Sequence, residues 1–331
     1  MERIQRDSNL ILPHRGSAVR FRFGSGGLKF HPAASTVNSE TSVAQRLRKA
    51  LALRRAAVRH PIHDARPVNE EVVHRLAAME PCVIVGRGHS GTRIPAWICH
   101  HLGIELGADA RVHASGDCTD LVFKHHIRKA AQTHIEAGGV HELAPRALHR
   151  FQKAVSGFHE RLAPRGRYWG WKYPETNMIA PYVATTFPRA KIIHILRDGR
   201  DTAFKTHYTD NTRHALARAI LRERDALALP HHLQAAHSWA FQVELFDAFS
   251  SAFPGTRVLD LRFEEVVQNP VETGHRISDF LEVPMTDRCL EYLARAIDSS
   301  KKRQHRDEDR EEVRAIERGI ASTLRKVGYE S

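Results

Sequence analysis

Four cysteines, Cys82, Cys99, Cys118 and Cys289, are scattered through 331 residues, and no two form a C-x-x-C pair. Neither a disulfide framework nor a zinc site is suggested, and a reducing, cytoplasmic setting is expected. Long apolar runs are also missing: no stretch approaches the roughly 18 to 20 residues needed to cross a bilayer. The first residues lack the apolar core of a signal peptide. Internal repeats and low-complexity blocks are absent. Acidic residues are scarce at the start, where residues 1–60 carry twelve Lys/Arg against Glu2, Asp7 and Glu40. Most of the formal charge of +12 therefore sits in that segment. The body is only mildly basic, so no nucleic-acid partner is expected.

What is present divides the chain. Residues 1–60 read as a basic, mobile extension, in which residues 42–58 could form a basic helix. Their Arg- and Ser-bearing composition resembles a transit peptide, but a solvated tail is the reading favoured. Residues 61–300 form the main domain, and residues 301–331 are expected as a charged helix or tail facing solvent. Short apolar segments at 82–85, 168–172, 191–196 and 257–261 read as strands, and helical segments lie between them. Strands spaced by helices predict an α/β fold, a three-layer sandwich with a mostly parallel central sheet.

Two strand ends carry anion chemistry. The stretch Gly86-Arg87-Gly88-His89-Ser90-Gly91-Thr92-Arg93 follows the first strand and opens a helix with Pro95 in its first turn. Its glycines allow close approach of the backbone to an oxyanion, and the N–H groups and dipole of the helix start favour negative charge. The Gly86-x-x-x-x-Gly91 spacing is that of an ATP-binding P-loop. However, Thr92 occupies the lysine position and Arg93 the magnesium-binding Ser/Thr position. Such a loop suits a nucleotide handled without magnesium, and no metal site is expected. The second element is Arg197-Asp198-Gly199-Arg200-Asp201, which closes the strand at 191–196. A guanidinium at a strand's C-terminal edge can grip a phosphate, or it can pair with Asp198 or Asp201 to fix the turn.

Taken in order, the glycine loop, Trp171-Lys172-Tyr173-Pro174-Glu175-Thr176, the segment 187–201, and Arg262-Phe263-Glu264-Glu265 with Asn269-Pro270 resemble the sulfotransferase family. Those enzymes have a P-loop-like fold and use 3'-phosphoadenosine 5'-phosphosulfate (PAPS). The resemblance covers about residues 80–285 and implies transfer of a sulfuryl group from PAPS to a hydroxyl or amine acceptor. It implies that Arg87, Gly88, His89, Ser90, Gly91, Thr92 and Arg93 line the 5'-phosphosulfate loop and that Arg197 contacts the 3'-phosphate. Eight residues after Arg197, where the family has a serine, this chain has Lys205 followed by Thr206. Lysine could replace the serine with a charge, or Thr206 could shift in.

Sulfuryl transfer needs cations or N–H donors at the departing phosphate and a base at the acceptor. By the resemblance, Lys172 takes the leading electrostatic role, with His89 and Arg93 assisting. Asp117 is the first candidate base, Glu175 its rival and His207 a third. Each acid could instead cap a helix or hold a salt bridge. By the resemblance Arg262 packs or pairs near the nucleotide side and is assigned no chemistry, and 301–303 is read as solvated charge. Two other readings stay open: a P-loop kinase-like enzyme, and a noncatalytic anion- or nucleic-acid-binding protein using the basic first 60 residues. The acceptor and the oligomeric state are not legible.

Overall fold

The computed structural model describes residues 68–107, 116–138, 143–297 and 302–329. The basic extension over 1–60 and its expected helix lie outside the described residues. Four parallel strands, β1 (Cys82–Val85), β2 (Gly170–Lys172), β3 (Lys191–Leu196) and β4 (Arg257–Arg262), form one sheet in the order β2-β1-β3-β4. The register pairs Ile84 of β1 with Lys172 on one side and Ile193 on the other.

Alternation along the strands sends side chains to two separate cores. Val83, Val85 and Ile192 join one cluster, while Cys82, Ile84, Ile193 and Ile195 join the other. Both faces of the sheet are therefore covered, which gives the expected three layers. On the first face lie α3 (Leu121–Glu136), α4 (Pro145–Leu162) and α5 (Ala180–Thr186), built around Phe123, Phe151, Phe158 and Trp171. On the second lie α2 (Arg93–His101), α9 (Phe263–Gln268), α10 (Pro270–Leu281) and α11 (Asp287–Ala296). The long α8 (His231–Ala252) adds to the first core through Phe241 and Phe246. Helices α1 (Glu70–Ala77), α6 (Gly199–Ala203) and α7 (Ala215–Arg222) complete the described body. No described helix is long and apolar enough to cross a membrane.

The chain leaves β1 for β2 on one side and then crosses to β3 on the other. That reversal opens a crevice at the strands' C-terminal ends, where open α/β sheets bind ligands.

The C-terminal stretch departs from expectation. Residues 310–326 are helical, as α12 (Arg310–Gly319) and α13 (Ala321–Lys326), but Ile316, Ile320 and Leu324 are buried against Trp239 and Ala240 of α8. Apolar residues at four-residue spacing hide inside the charge run, and burying such a stripe is worth more than solvating it. The segment is a packed part of the body rather than a solvated tail.

Candidate functional site: a cationic cleft at the strand ends

The glycine loop leaves β1 in a conformation that only its composition permits. Gly91 has φ +91°, and a β-carbon there would come within 2.3 Å of the Phe263 ring. At Gly88 a β-carbon would collide with the His207 imidazole at 2.1 Å. His89 sits at φ 69°, a left-handed geometry that costs an ordinary side chain energy, and its Nε2 meets the Thr206 carbonyl at 3.1 Å. Among the described residues, no acceptor meets the N–H groups of Gly91, Thr92 or Arg93, which open α2.

These N–H groups border a cleft of about 620 Å³, within the range of about 300–1,000 Å³ usual for small-molecule sites. Gly88, His89, Gly91, Thr92 and Arg93 of the loop line it together with Arg197 and Lys205, and Lys172 and Asp117 also reach it.

Arg197 is held to the loop and to the turn that follows it. Its Nη1 donates to the His89 carbonyl at 3.4 Å, and its Nη2 and Nε donate to Asp201 at 2.9 and 3.2 Å. The two readings of this arginine are therefore compatible: it pairs with Asp201 and still lines the cleft. Phe263 lies under the guanidinium at 4.2 Å, and Trp239 Nε1 donates to the Arg197 carbonyl at 3.0 Å. Asp201 in turn accepts from the backbone N–H of His305 at 2.9 Å and meets its Nδ1 at 2.6 Å. Those contacts, with burial opposing, hold the Asp201 carboxyl down at about 2.

Sequence reasoning missed Gln304. Its Oε1 accepts from Arg197 Nη2 at 3.1 Å and from Lys205 Nζ at 2.6 Å, so a neutral carbonyl sits between two cations on the cleft wall. Gln304, one residue beyond the stretch expected as solvated charge, is thus part of the cleft wall. The signal was a polar residue just after a basic run, too common to single out. Lys205 lines the cleft, whereas Thr206 lines a second chamber.

Lys172, only 4% exposed, is not a surface residue packed on Trp171. It ends β2 with its ammonium in contact with Asp117. Burial lowers its pKa, and Asp117 opposes that fall. For Asp117, burial pulls upward, but Lys172 and Lys124, the latter at 3.5 Å, outweigh it and keep the carboxyl below its ordinary range. Asp117 caps no helix; that role belongs to Asp120, which accepts from Phe123 N at 2.8 Å at the start of α3.

Two expected residues are not among those lining the cleft. Arg87 does not line the cleft: its guanidinium is buried, ion-paired with Asp210 and bonded to the Gly88 and Thr202 carbonyls at 2.9 and 3.2 Å. A buried charge needs such partners, and here they lie beneath the loop rather than in the cleft. Ser90, 1% exposed, is covered as well.

Glu175 lies on the wall of the second chamber, about 320 Å³ in volume, which adjoins the cleft. It is buried and paired with Arg128 at 2.9 Å, and it accepts from the Tyr173 hydroxyl at 3.2 Å. Burial would raise its pKa, but Arg128 leads the groups that push it down to about 2. So held, the carboxylate is ionised and sits on the chamber wall, while the candidate base Asp117 lines both spaces. Arg128, stacked over Tyr208 at 3.5 Å, is a second residue that sequence reasoning missed.

The described residues hold no cluster of His, Cys, Asp or Glu able to take a metal ion. The chain matches the family model described as the Sulfotransferase family over residues 31–287. It is similar to a protein-tyrosine sulfotransferase of Drosophila melanogaster, 25% identical over 231 residues. That match covers 68% of this chain and 42% of the relative, so the chain spans less than half the relative's length. Among solved structures it is similar to the sulfotransferase domain from the curacin biosynthetic pathway, at 16% identity and TM-score 0.47, over 76% of this chain and 98% of that one. It is also similar to a sulfotransferase from Mycobacterium tuberculosis H37Rv, at 13% identity and TM-score 0.47, over 88% of each chain. With the family model spanning more than three quarters of its length, this chain belongs to the sulfotransferase family.

Proposed function

We propose that the protein transfers a sulfuryl group from PAPS to a hydroxyl-bearing acceptor. The observation that carries this reading is a single cleft lined by two anion-binding elements: free N–H groups of the glycine loop, and Arg197 with Lys205. A ligand with two separate phosphate groups suits such a lining, and the collision awaiting a β-carbon at Gly88 or Gly91 keeps the loop's backbone bare. PAPS, when bound, supplies a sulfuryl group already activated on a phosphate.

This chain's residues supply the rest. The loop and Arg93 hold the 5' end, Arg197 and Lys205 the 3' phosphate. The Lys172 ammonium, buried at the end of β2, offsets charge developing on the departing oxygen. Asp117, ionised because Lys172 and Lys124 face it, accepts the acceptor's proton. His89, whose pKa burial lowers, is neutral at pH 7 and assists by hydrogen bonding rather than by charge. The second chamber seats the acceptor. Thr92 and Arg93 stand where a magnesium-handling loop needs lysine and Ser/Thr, which argues against the kinase-like reading.

Calorimetry with adenosine 3',5'-bisphosphate and with 5'-AMP tests the donor site; the bisphosphate should bind at least tenfold more tightly. No binding of either nucleotide overturns the reading. Incubating the protein with PAPS and a panel of hydroxyl compounds, including tyrosine peptides because of the Drosophila relative, then reads the acceptor as a mass shift.

A further inference from the structure

The cleft and the second chamber share three lining residues, Asp117, Pro174 and His207. On the reading proposed above, the group in transit crosses this boundary. Asp117 has a role there, and the Pro174 ring offers neither donor nor acceptor. His207, expected from the sequence as a third candidate base, has no role on that reading.

Its orientation is fixed by the turn it belongs to. The His207 backbone N–H donates to Asp210 Oδ1 at 2.8 Å, and the other Asp210 oxygen holds Arg87 beneath the glycine loop. On the ring, Nδ1 lies 2.9 Å from Thr209 Oγ1 and accepts from the Thr209 backbone N–H at 3.4 Å. Thr209 Oγ1 already accepts from Gln242 Nε2 at 3.2 Å, which leaves its own proton for Nδ1. With Nδ1 an acceptor, the proton of the neutral ring sits on Nε2. The Nε2 edge of the ring rests over Gly88, and no described group bonds it. The charged and titratable groups facing the ring are Glu175, Arg87, His89 and Arg128. Burial, opposed only in part by Glu175, pushes the ring's pKa down to about 3.

We propose that His207 is a neutral hydrogen-bond donor: its Nε2–H faces the oxygens of the sulfuryl group as that group passes from the cleft to the second chamber. In the step, the bond from sulfur to the departing phosphate oxygen breaks and a bond from sulfur to the acceptor oxygen forms. The acceptor's proton goes to Asp117, and His207 keeps its own proton throughout. Donor and acceptor thus divide the boundary: imidazole N–H on one side, carboxylate on the other.

The first test is spectroscopic and needs no acceptor. In protein labelled with ¹⁵N-histidine, the resonance assigned to His207 by its absence from a His207→Gln variant should show the Nε2–H tautomer and no titration between pH 5 and 8. A proton on Nδ1, or titration in that interval, overturns the proposal. The second test follows formation of adenosine 3',5'-bisphosphate from PAPS with water as acceptor. His207→Ala should slow it by about 100-fold, as loss of an oxyanion donor does. His207→Gln, which keeps an N–H near the Nε2 position, should stay within about tenfold of the native rate. Both variants should bind the bisphosphate within threefold of the native protein. A His207→Ala rate equal to the native one overturns the proposal, as does a Gln variant as slow as the Ala variant. Failure of the native protein to bind the bisphosphate would instead strike the donor-site reading and leave the tautomer result standing.

Discussion

The cleft wall is built from two unlike sets of donors. The loop set is one contiguous stretch whose power lies in the backbone: bare glycines, unclaimed N–H groups and a helix start. The side-chain set is assembled from Arg197 after β3, Lys205 in the next turn and Gln304 from beyond α11. Backbone donors cannot be deleted singly without disturbing the fold, whereas those side chains can. On the proposed function, the side-chain set is therefore where affinity can be dissected, and the junction at Lys172 and Asp117 is where turnover can.

The largest effect is expected at that junction. Lys172→Ala should lower turnover by about 100- to 1,000-fold while nucleotide affinity changes little, measured by steady-state rates and calorimetry. The opposite pattern would move Lys172 to the binding machinery. The same variant removes the main cation holding Asp117 ionised, so burial gains ground and the carboxyl pKa rises. The acid limb of the rate profile should then move to higher pH.

In the side-chain set, Arg197→Ala should weaken binding of adenosine 3',5'-bisphosphate by about 1.5 to 3 kcal/mol, the usual worth of a charge-assisted contact. Binding of 5'-AMP should change little. Equal losses for both nucleotides would erase the distinction between the two sets. A smaller, more pointed change is Gln304→Glu, which places a carboxylate where a neutral carbonyl now meets Arg197 and Lys205. It should compete with the phosphate and cost about tenfold in bisphosphate affinity, roughly the worth of one such contact, while leaving the Lys172 step intact.

The smallest effect concerns α3, which lends Lys124 and Arg128 to the second chamber. His126 and His134 are buried on that helix, and burial pushes both down to about 4 from an ordinary value of 6.5. The unfolded chain binds their protons first, so stability is full above about pH 6.5 and declines as pH falls toward about 4. Denaturant midpoints at pH 7 and 5 should show the decline. Because neither ring nitrogen of His126 has a partner, His126→Leu should flatten it.

The same contrast explains what was legible in the sequence. The glycine loop could be read because backbone chemistry leaves a contiguous trace: glycines at fixed offsets after an apolar run and before a helix. The strands and the two-faced sheet were legible for the same reason, through short apolar segments spaced by helical ones. Arg87 misled because a loop arginine looks the same whether it faces a ligand or a buried aspartate; Asp210, 123 residues away, decides which. Gln304, Arg128 and the pairing of Glu175 were hidden because each acquires its meaning only from a partner on another element. Ile316, Ile320 and Leu324 form a stripe inside a charge run, and the charges drew the reading toward solvent.

The reach of His305 to Asp201 has a consequence for how the protein comes into being. The ribosome delivers the glycine loop more than two hundred residues before it delivers this histidine. Until residue 305 has cleared the exit tunnel, Asp201, the partner of Arg197, lacks one of its braces, so the contacts that fix this arginine are complete only when nearly the whole chain has been made.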